Sequence, residues 1–164
     1  MLKLAGALLL IGAGFLAGYM ESHKLSVRVE KLEAFLRFLT SAQTEVRYSS
    51  MPVDAILQAH GGEISFFSRL RASAANGSWE SAWNDAVGRH AREEGFSEKD
   101  LALLKGFGSG FGASDSKGQA AHFGLYKTLT ASALDEARRD RDRKSKLYLM
   151  LGVFGGMAAA ILLC

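Results

Sequence analysis

Arg138-Arg139-Asp140-Arg141-Asp142-Arg143-Lys144-Ser145-Lys146 is followed at once by Leu147 to Cys164, a run without a single charged residue. At 1.5 Å rise per residue a helix over residues 147–164 spans roughly 27 Å, close to the hydrocarbon thickness of a bilayer. The upstream residues from Ser114 continue the same helical reading, after a small turn at Gly112-Ala113-Ser114-Asp115. The stretch therefore describes a helix that leaves water and enters a membrane at a defined point. Its apolar positions Ala121, Leu125, Leu129, Ala133 and Ala137, four apart and joined by Phe123, Tyr126 and Leu134, predict the stripe that faces a domain. Beyond Ala137 the stripe gives way to a charged stalk.

A second uncharged run, Leu4 to Met20, lies at the other end, between Lys3 and Glu21. A signal peptide would bring a more basic start, a shorter apolar core and a small-x-small cleavage site before Glu21, so a retained anchor is the reading adopted. Gly14 and Gly18 form the four-residue small-residue spacing that suits close helix contact in lipid. Six basic residues crowd the near flank of the second span, and Lys24, Arg28 and Lys31 follow the first. That bias marks the cytoplasmic side, so residues 21–146 are expected in the cytoplasm between spans at 1–20 and 147–164. The same bias accounts for part of the net charge of +3 in this 164-residue chain, and no nucleic-acid partner is needed to explain it. Cys164 is the one cysteine, which excludes an internal disulfide and a cysteine-based zinc site.

The middle of the chain reads as helices throughout. Leu25, Val29, Leu32, Leu36 and Leu39, widened by Phe35, Ala42 and Val46, make an amphipathic helix to about Arg47. Pro52 suits the first position of a short helix to about His60, which Gly61-Gly62 ends, with Ser50 or the backbone at Met51 as cap. A third helix runs from Glu63 to about Ala75 with Ile64, Phe67 and Leu70 on one face, stopped by Asn76-Gly77. Ser78 caps a fourth with Trp79, Trp83, Ala86 and Val87, and Gly95 follows it. Ser97 and Asp100 form a variant capping box for a fifth, from Glu98 to about Phe107. No period-two alternation lasts long enough for a strand. The expected fold class is all-α, a bundle of about six helices flanked by two membrane helices.

Chemistry-bearing patterns are sparse. Gly106-Phe107-Gly108-Ser109-Gly110-Phe111-Gly112 lacks the spacing of a phosphate-binding loop, and a turn or a helix crossing that needs small residues is the better reading. His23, His60, His90 and His122 fall in separate segments without convergent ligands, so neither a metal nor a catalytic site is expected. Asn76-Gly77-Ser78 serves as helix stop and cap rather than as a glycosylation acceptor. Trp79 and Trp83 read first as core and second as a partner contact. Arg138, Arg139, Arg141 and Arg143 are partner-binding candidates toward protein or anionic lipid, with Asp140 and Asp142 weakening the lipid case. No cofactor fingerprint and no nucleophile–base pairing is present, so the chain is not expected to be an enzyme.

The order of several short motifs resembles the stage III sporulation protein AB family of endospore-forming bacteria. They are the opening MLKLAGALLLIGAGFLAGY, Gln43-Thr44-Glu45-Val46-Arg47-Tyr48 before Pro52-Val53-Asp54-Ala55, Phe107-Gly108-Ser109-Gly110-Phe111-Gly112-Ala113-Ser114-Asp115 with Gln119, and Lys146-Leu147-Tyr148 leading through Leu151-Gly152-Val153. Met51 departs from the capping residue the family shows before the proline. The resemblance implies a cytoplasmic helical domain similar to those of type II secretion F proteins. It implies a non-catalytic platform subunit in the mother-cell membrane around the forespore, part of the secretion-like channel complex between the two cells. The implied partners are a cytoplasmic secretion-type ATPase, stage III sporulation protein AA, and other membrane proteins of that channel. A static scaffold or assembly factor is the alternative.

Overall fold

A computed structural model describes residues 2–48, 51, 53–74, 79–110 and 116–163. Six α-helices account for nearly all of them: α1 (Leu2–Tyr48), α2 (Val53–His60), α3 (Ser65–Ala74), α4 (Trp79–Ala86), α5 (Glu98–Gly110) and α6 (Ser116–Leu163). No strand occurs among the described residues. The fold is all-α, as periodicity requires. Expectations for Ser50, Pro52, Asn76-Gly77-Ser78 and the Gly112–Asp115 turn fall outside the described residues.

The chain divides into two compact units, one of Met1–Val29 with Glu136–Cys164 and one of Glu30–Asp135. In the first, the opening part of α1 and the closing part of α6 run antiparallel. Gly14 faces Gly152 and Gly156, Gly18 faces Tyr148 and Gly152, and Gly156 meets the backbone of Leu10 and Ile11. A Cβ on Gly14 would stand 3.0 Å from the Gly156 Cα and nearer still to the Gly152 carbonyl oxygen, so the contact is backbone on backbone. Small residues are the means by which apolar helices approach this closely.

Outside that seam the same unit is covered in apolar side chains. Thirteen large ones are exposed among the described residues, Leu8, Leu9, Phe154, Ile161 and Leu162 among them. At about 1.5–3 kcal/mol each, leaving them in water would forgo roughly 20–40 kcal/mol. That exceeds the whole stability of an ordinary domain, about 5–15 kcal/mol. Both α1 and α6 are long and apolar enough to cross a membrane.

The second unit is a helical domain with an aromatic core. Phe107 of α5 lies at its centre, with ring centroids 5.3 Å from Trp83 and from Phe123, 5.6 Å from Phe35 and 5.5 Å from Tyr126. From α1 come Leu32, Phe35, Phe38, Leu39, Ala42 and Val46, all buried. Phe38 takes the deep place expected of Leu36, which is only half-buried. From α3 and the turn before it come Ile64, Phe66, Phe67 and Leu70. Helix α3 starts at Ser65 rather than Glu63, because Ile64 and Phe67 donate turn bonds to the carbonyls of Gly61 and Ile64.

Helix α4 passes into a π-helical turn over Val87–Ala91. It closes on Gly95, whose φ of 102° only glycine adopts without strain. The Gly95 N–H donates to the Arg92 carbonyl and the Phe96 N–H to that of Ala91, with Phe96 buried behind them. This is a Schellman closure with its usual apolar contact. The expected capping box is present: Asp100 accepts from the Ser97 N–H at 2.8 Å and from its hydroxyl at 2.7 Å, and the Asp100 N–H donates to the Ser97 Oγ at 3.3 Å.

The stripe expected on α6 also fails. Leu125 and Leu129 of α6 do not face the domain core; they are 56% and 43% exposed, and Ala121 is exposed with them. The buried line is instead Gln119, Phe123, Thr130, Leu134 and Ala137.

Candidate functional site

Helix α5 runs through Gly110, past its expected end at Phe107, so Gly106-Phe107-Gly108-Ser109-Gly110 is helix and not a phosphate loop. Each glycine in it seats a ring. Tyr126 lies on Gly106, the indole of Trp83 on Gly108 and the imidazole of His122 on Gly110. The crossing of α5 with its neighbours is close because three successive alternate positions carry no side chain. His122 Nε2 donates to the Phe107 carbonyl at 2.8 Å. Gln119, buried, donates to the Gly110 carbonyl at 3.0 Å and so satisfies an end of α5. Gln43 donates to the Ala120 carbonyl at 3.2 Å and accepts from Lys127 at 3.5 Å, tying α1 to α6 within the domain. The motif residues Gln43, Gly108 and Gln119 thus have structural work in the helix crossings. Burial pushes the Tyr126 phenol above its ordinary value of 10.0.

The sequence-selected partner residues divide in this setting. Trp83 is fully buried, with its indole N–H donated to the Leu104 carbonyl at 2.7 Å, and belongs to the core. Trp79, one turn earlier, is half-buried. In the two-helix unit Arg138, Arg139 and Arg143 are exposed, and Arg141 is half-buried against Asp142, its Nε 3.1 Å from that carboxylate.

No group of three or more His, Cys, Asp or Glu side chains gathers for a metal among the described residues. His60 stands 3.5 Å from Glu45, His90 accepts from Arg69 at 2.6 Å, and His23 stacks on Tyr19 with centroids 6.1 Å apart. Arg37 pairs with Glu63, whose hydrogen bond and charge raise the guanidinium further above its ordinary range. The pair is exposed and contributes at most about 1 kcal/mol.

Two features carry interaction potential instead. One is the uncharged, exposed strip of Ala121, Leu125 and Leu129 on α6, which sequence periodicity placed inside. The other is the polar collar of the two-helix unit, just before the apolar runs. There Ser22 and Ser145 share a hydrogen bond, Arg28 stands 3.8 Å from Asp140, and Lys144 pairs with Asp140 at 2.9 Å. Sequence alone could not tell which cations of the collar are paired.

These features define an all-helical protein with a glycine-packed pair of candidate membrane helices and a separate aromatic-cored domain. Residues 3–164 match the family described as stage III sporulation protein AB, and the chain belongs to that family. It is 22% identical over 170 residues to the stage III sporulation protein AB of Bacillus subtilis (strain 168), covering 99% of each chain. No solved structure matches.

Proposed function

We propose that this chain is a non-catalytic platform subunit of a membrane assembly in sporulation, held in the mother-cell membrane by both terminal helices with the domain of residues 30–135 in the cytoplasm. There it docks a cytoplasmic secretion-type ATPase and passes conformational work into the membrane. Family membership supports the sporulation setting. The exposed apolar surface of the helix pair supports lipid as its solvent, and its basic flank supports the cytoplasmic orientation. Retention of the first span, as opposed to its removal as a signal, is supported by its glycine contact with the second.

The observation that carries the coupling reading is the continuity of α6. It runs from Ser116 to Leu163 as one helix, from core positions such as Phe123 through the charged collar into the apolar run. A helix without an internal proline is stiff, and between Gly124 and Gly152 it has no glycine either. The test is a flexible Gly-Ser insertion beside Asp140 in the full-length protein, scored by spore formation and by co-purification with an ATPase. Lost sporulation with the ATPase still bound fits a transmitter. Normal sporulation fits a static scaffold or assembly factor, and failure to recover any ATPase from the unmodified protein removes the docking claim.

A further inference from the structure

The collar of the two-helix unit holds both paired and exposed cations, and the structure sorts them. Arg28 stands by Asp140, Lys144 is bonded to Asp140, Arg141 to Asp142 and Lys24 to Glu21. Arg138 has contacts of its own. Three remain exposed with no acidic partner among the described residues: Arg139, Arg143 and Lys146. They are spaced four and three apart, so they stand on one face of α6. That face points away from α1, because Asp140, Ser145, Tyr148, Gly152 and Gly156, which meet α1, lie on other sides of the helix. The same face continues as Met150 and Phe154, 58% and 63% exposed. One stripe of the helix thus changes from cationic to apolar within a single turn.

Depth decides what the cations can reach. At 1.5 Å per residue, Lys146, Arg143 and Arg139 stand about 1.5, 6 and 12 Å above Leu147. The headgroup layer on each side of a bilayer is roughly 5–8 Å thick. Lys146 and Arg143 lie inside it, and Arg139 stands about 4–7 Å above it, within the roughly 8 Å screening length over which an anionic surface still attracts a cation.

We propose that Arg139, Arg143 and Lys146 form a binding face for anionic phospholipid headgroups, with Met150 and Phe154 packing the acyl chains beneath. It rests on the membrane placement proposed above, and adds that the protein selects its lipid through three side chains rather than through total charge. Arg141 and Lys144, spent on Asp142 and Asp140, do not take part.

The experiment reconstitutes the full-length protein in phosphatidylcholine vesicles carrying spin-labelled phosphatidylglycerol or phosphatidylcholine, and measures the preference for the anionic lipid at the protein surface. The unchanged protein prefers phosphatidylglycerol. R139Q/R143Q lowers that preference at least about five-fold, since one cation near the surface is worth about that factor. R141Q/K144Q removes the same charge from positions nearer the membrane and changes it less than about two-fold. R139K/R143K keeps it. Equal losses in the two Gln pairs, or no preference in the unchanged protein, overturn the proposal, whereas failure to insert at all would overturn the membrane placement. Should R139Q/R143Q not insert, salt decides: the preference of the unchanged protein collapses at 1 M, where the screening length is about 3 Å, and persistence there also overturns the proposal.

Discussion

Gly108→Ala is the sharpest perturbation the domain offers, because two effects of opposite sign meet at one position. Alanine in place of a helical glycine stabilises by about 0.5–1 kcal/mol through the backbone. A Cβ at Gly108, however, would overlap the indole ring of Trp83 at its Cδ1 and Nε1. That ring is fully buried and hemmed in by Phe66, Phe67 and Phe107, at centroid distances of 6.0, 5.6 and 5.3 Å. Displacing it is an overpacking change of about 1–3 kcal/mol. The indole N–H would also leave the Leu104 carbonyl, and an unsatisfied buried donor costs about 1–3 kcal/mol more. The net effect is a loss of roughly 1–5 kcal/mol, which lowers the midpoint of unfolding by at least about 4 °C in a unit of this size. The assay is thermal unfolding of the full-length protein in micelles, followed by tryptophan fluorescence. Gly88→Ala, where a Cβ meets nothing within 4 Å, is the control and leaves the midpoint unchanged or raised. Trp83→Phe combined with Gly108→Ala recovers at least about 1 kcal/mol relative to additivity. A Gly108→Ala protein that melts at or above the unchanged one would refute the ring-on-glycine account.

Ser22→Cys with Ser145→Cys, in a Cys164→Ser background, forms a disulfide readily, since the two hydroxyls already share a hydrogen bond; adding Gly152→Leu suppresses that crosslink by forcing the two helices apart. Asp100→Ala removes the buried acceptor of the α5 capping box, leaves the Ser97 N–H without its partner, and lowers stability by about 1–3 kcal/mol in denaturant unfolding. Tyr126 titrates higher in the folded protein than in the unfolded chain because burial disfavours the phenolate. Its contribution is therefore complete below pH 10 and lost as pH rises through the folded value, and Tyr126→Phe removes this part of the alkaline destabilisation measured by unfolding between pH 9 and 11.

What could be read from the chain depended on how local the signal was. Ser97 and Asp100, and Gly95, announce themselves over a few residues, and each stands where its chemistry put it. Helix α6 shows the opposite case. Ala121, Leu125, Leu129, Ala133 and Ala137 step by four, and each step turns about 40° on a helix of 3.6 residues per turn. Over that run the line swings about 160°, from the exposed side at Ala121 to the buried side at Ala137. The line that stays within about 60° is Gln119, Phe123, Thr130, Leu134 and Ala137. Two of its five members are polar, so an apolar template passes over it. The glycines of α5 were recognisable as a place for small residues, but not which rings they receive, because Trp83, His122 and Tyr126 come from distant parts of the chain. The collar, likewise, could be counted but not sorted, since Arg28 and Asp140 meet across more than a hundred residues.

The glycine seam between α1 and α6 also has a bearing on how the protein is made. In the proposed membrane arrangement Gly14 and Gly18 enter the bilayer long before Gly152 exists. At ordinary synthesis rates the interval is on the order of ten seconds. Throughout it the first span must wait in lipid with its notch open, and a newborn chain of the same kind, or any other helix with a matching groove, competes for it. Assembly fidelity would then be settled on the ribosome's schedule, before the cytoplasmic domain is complete.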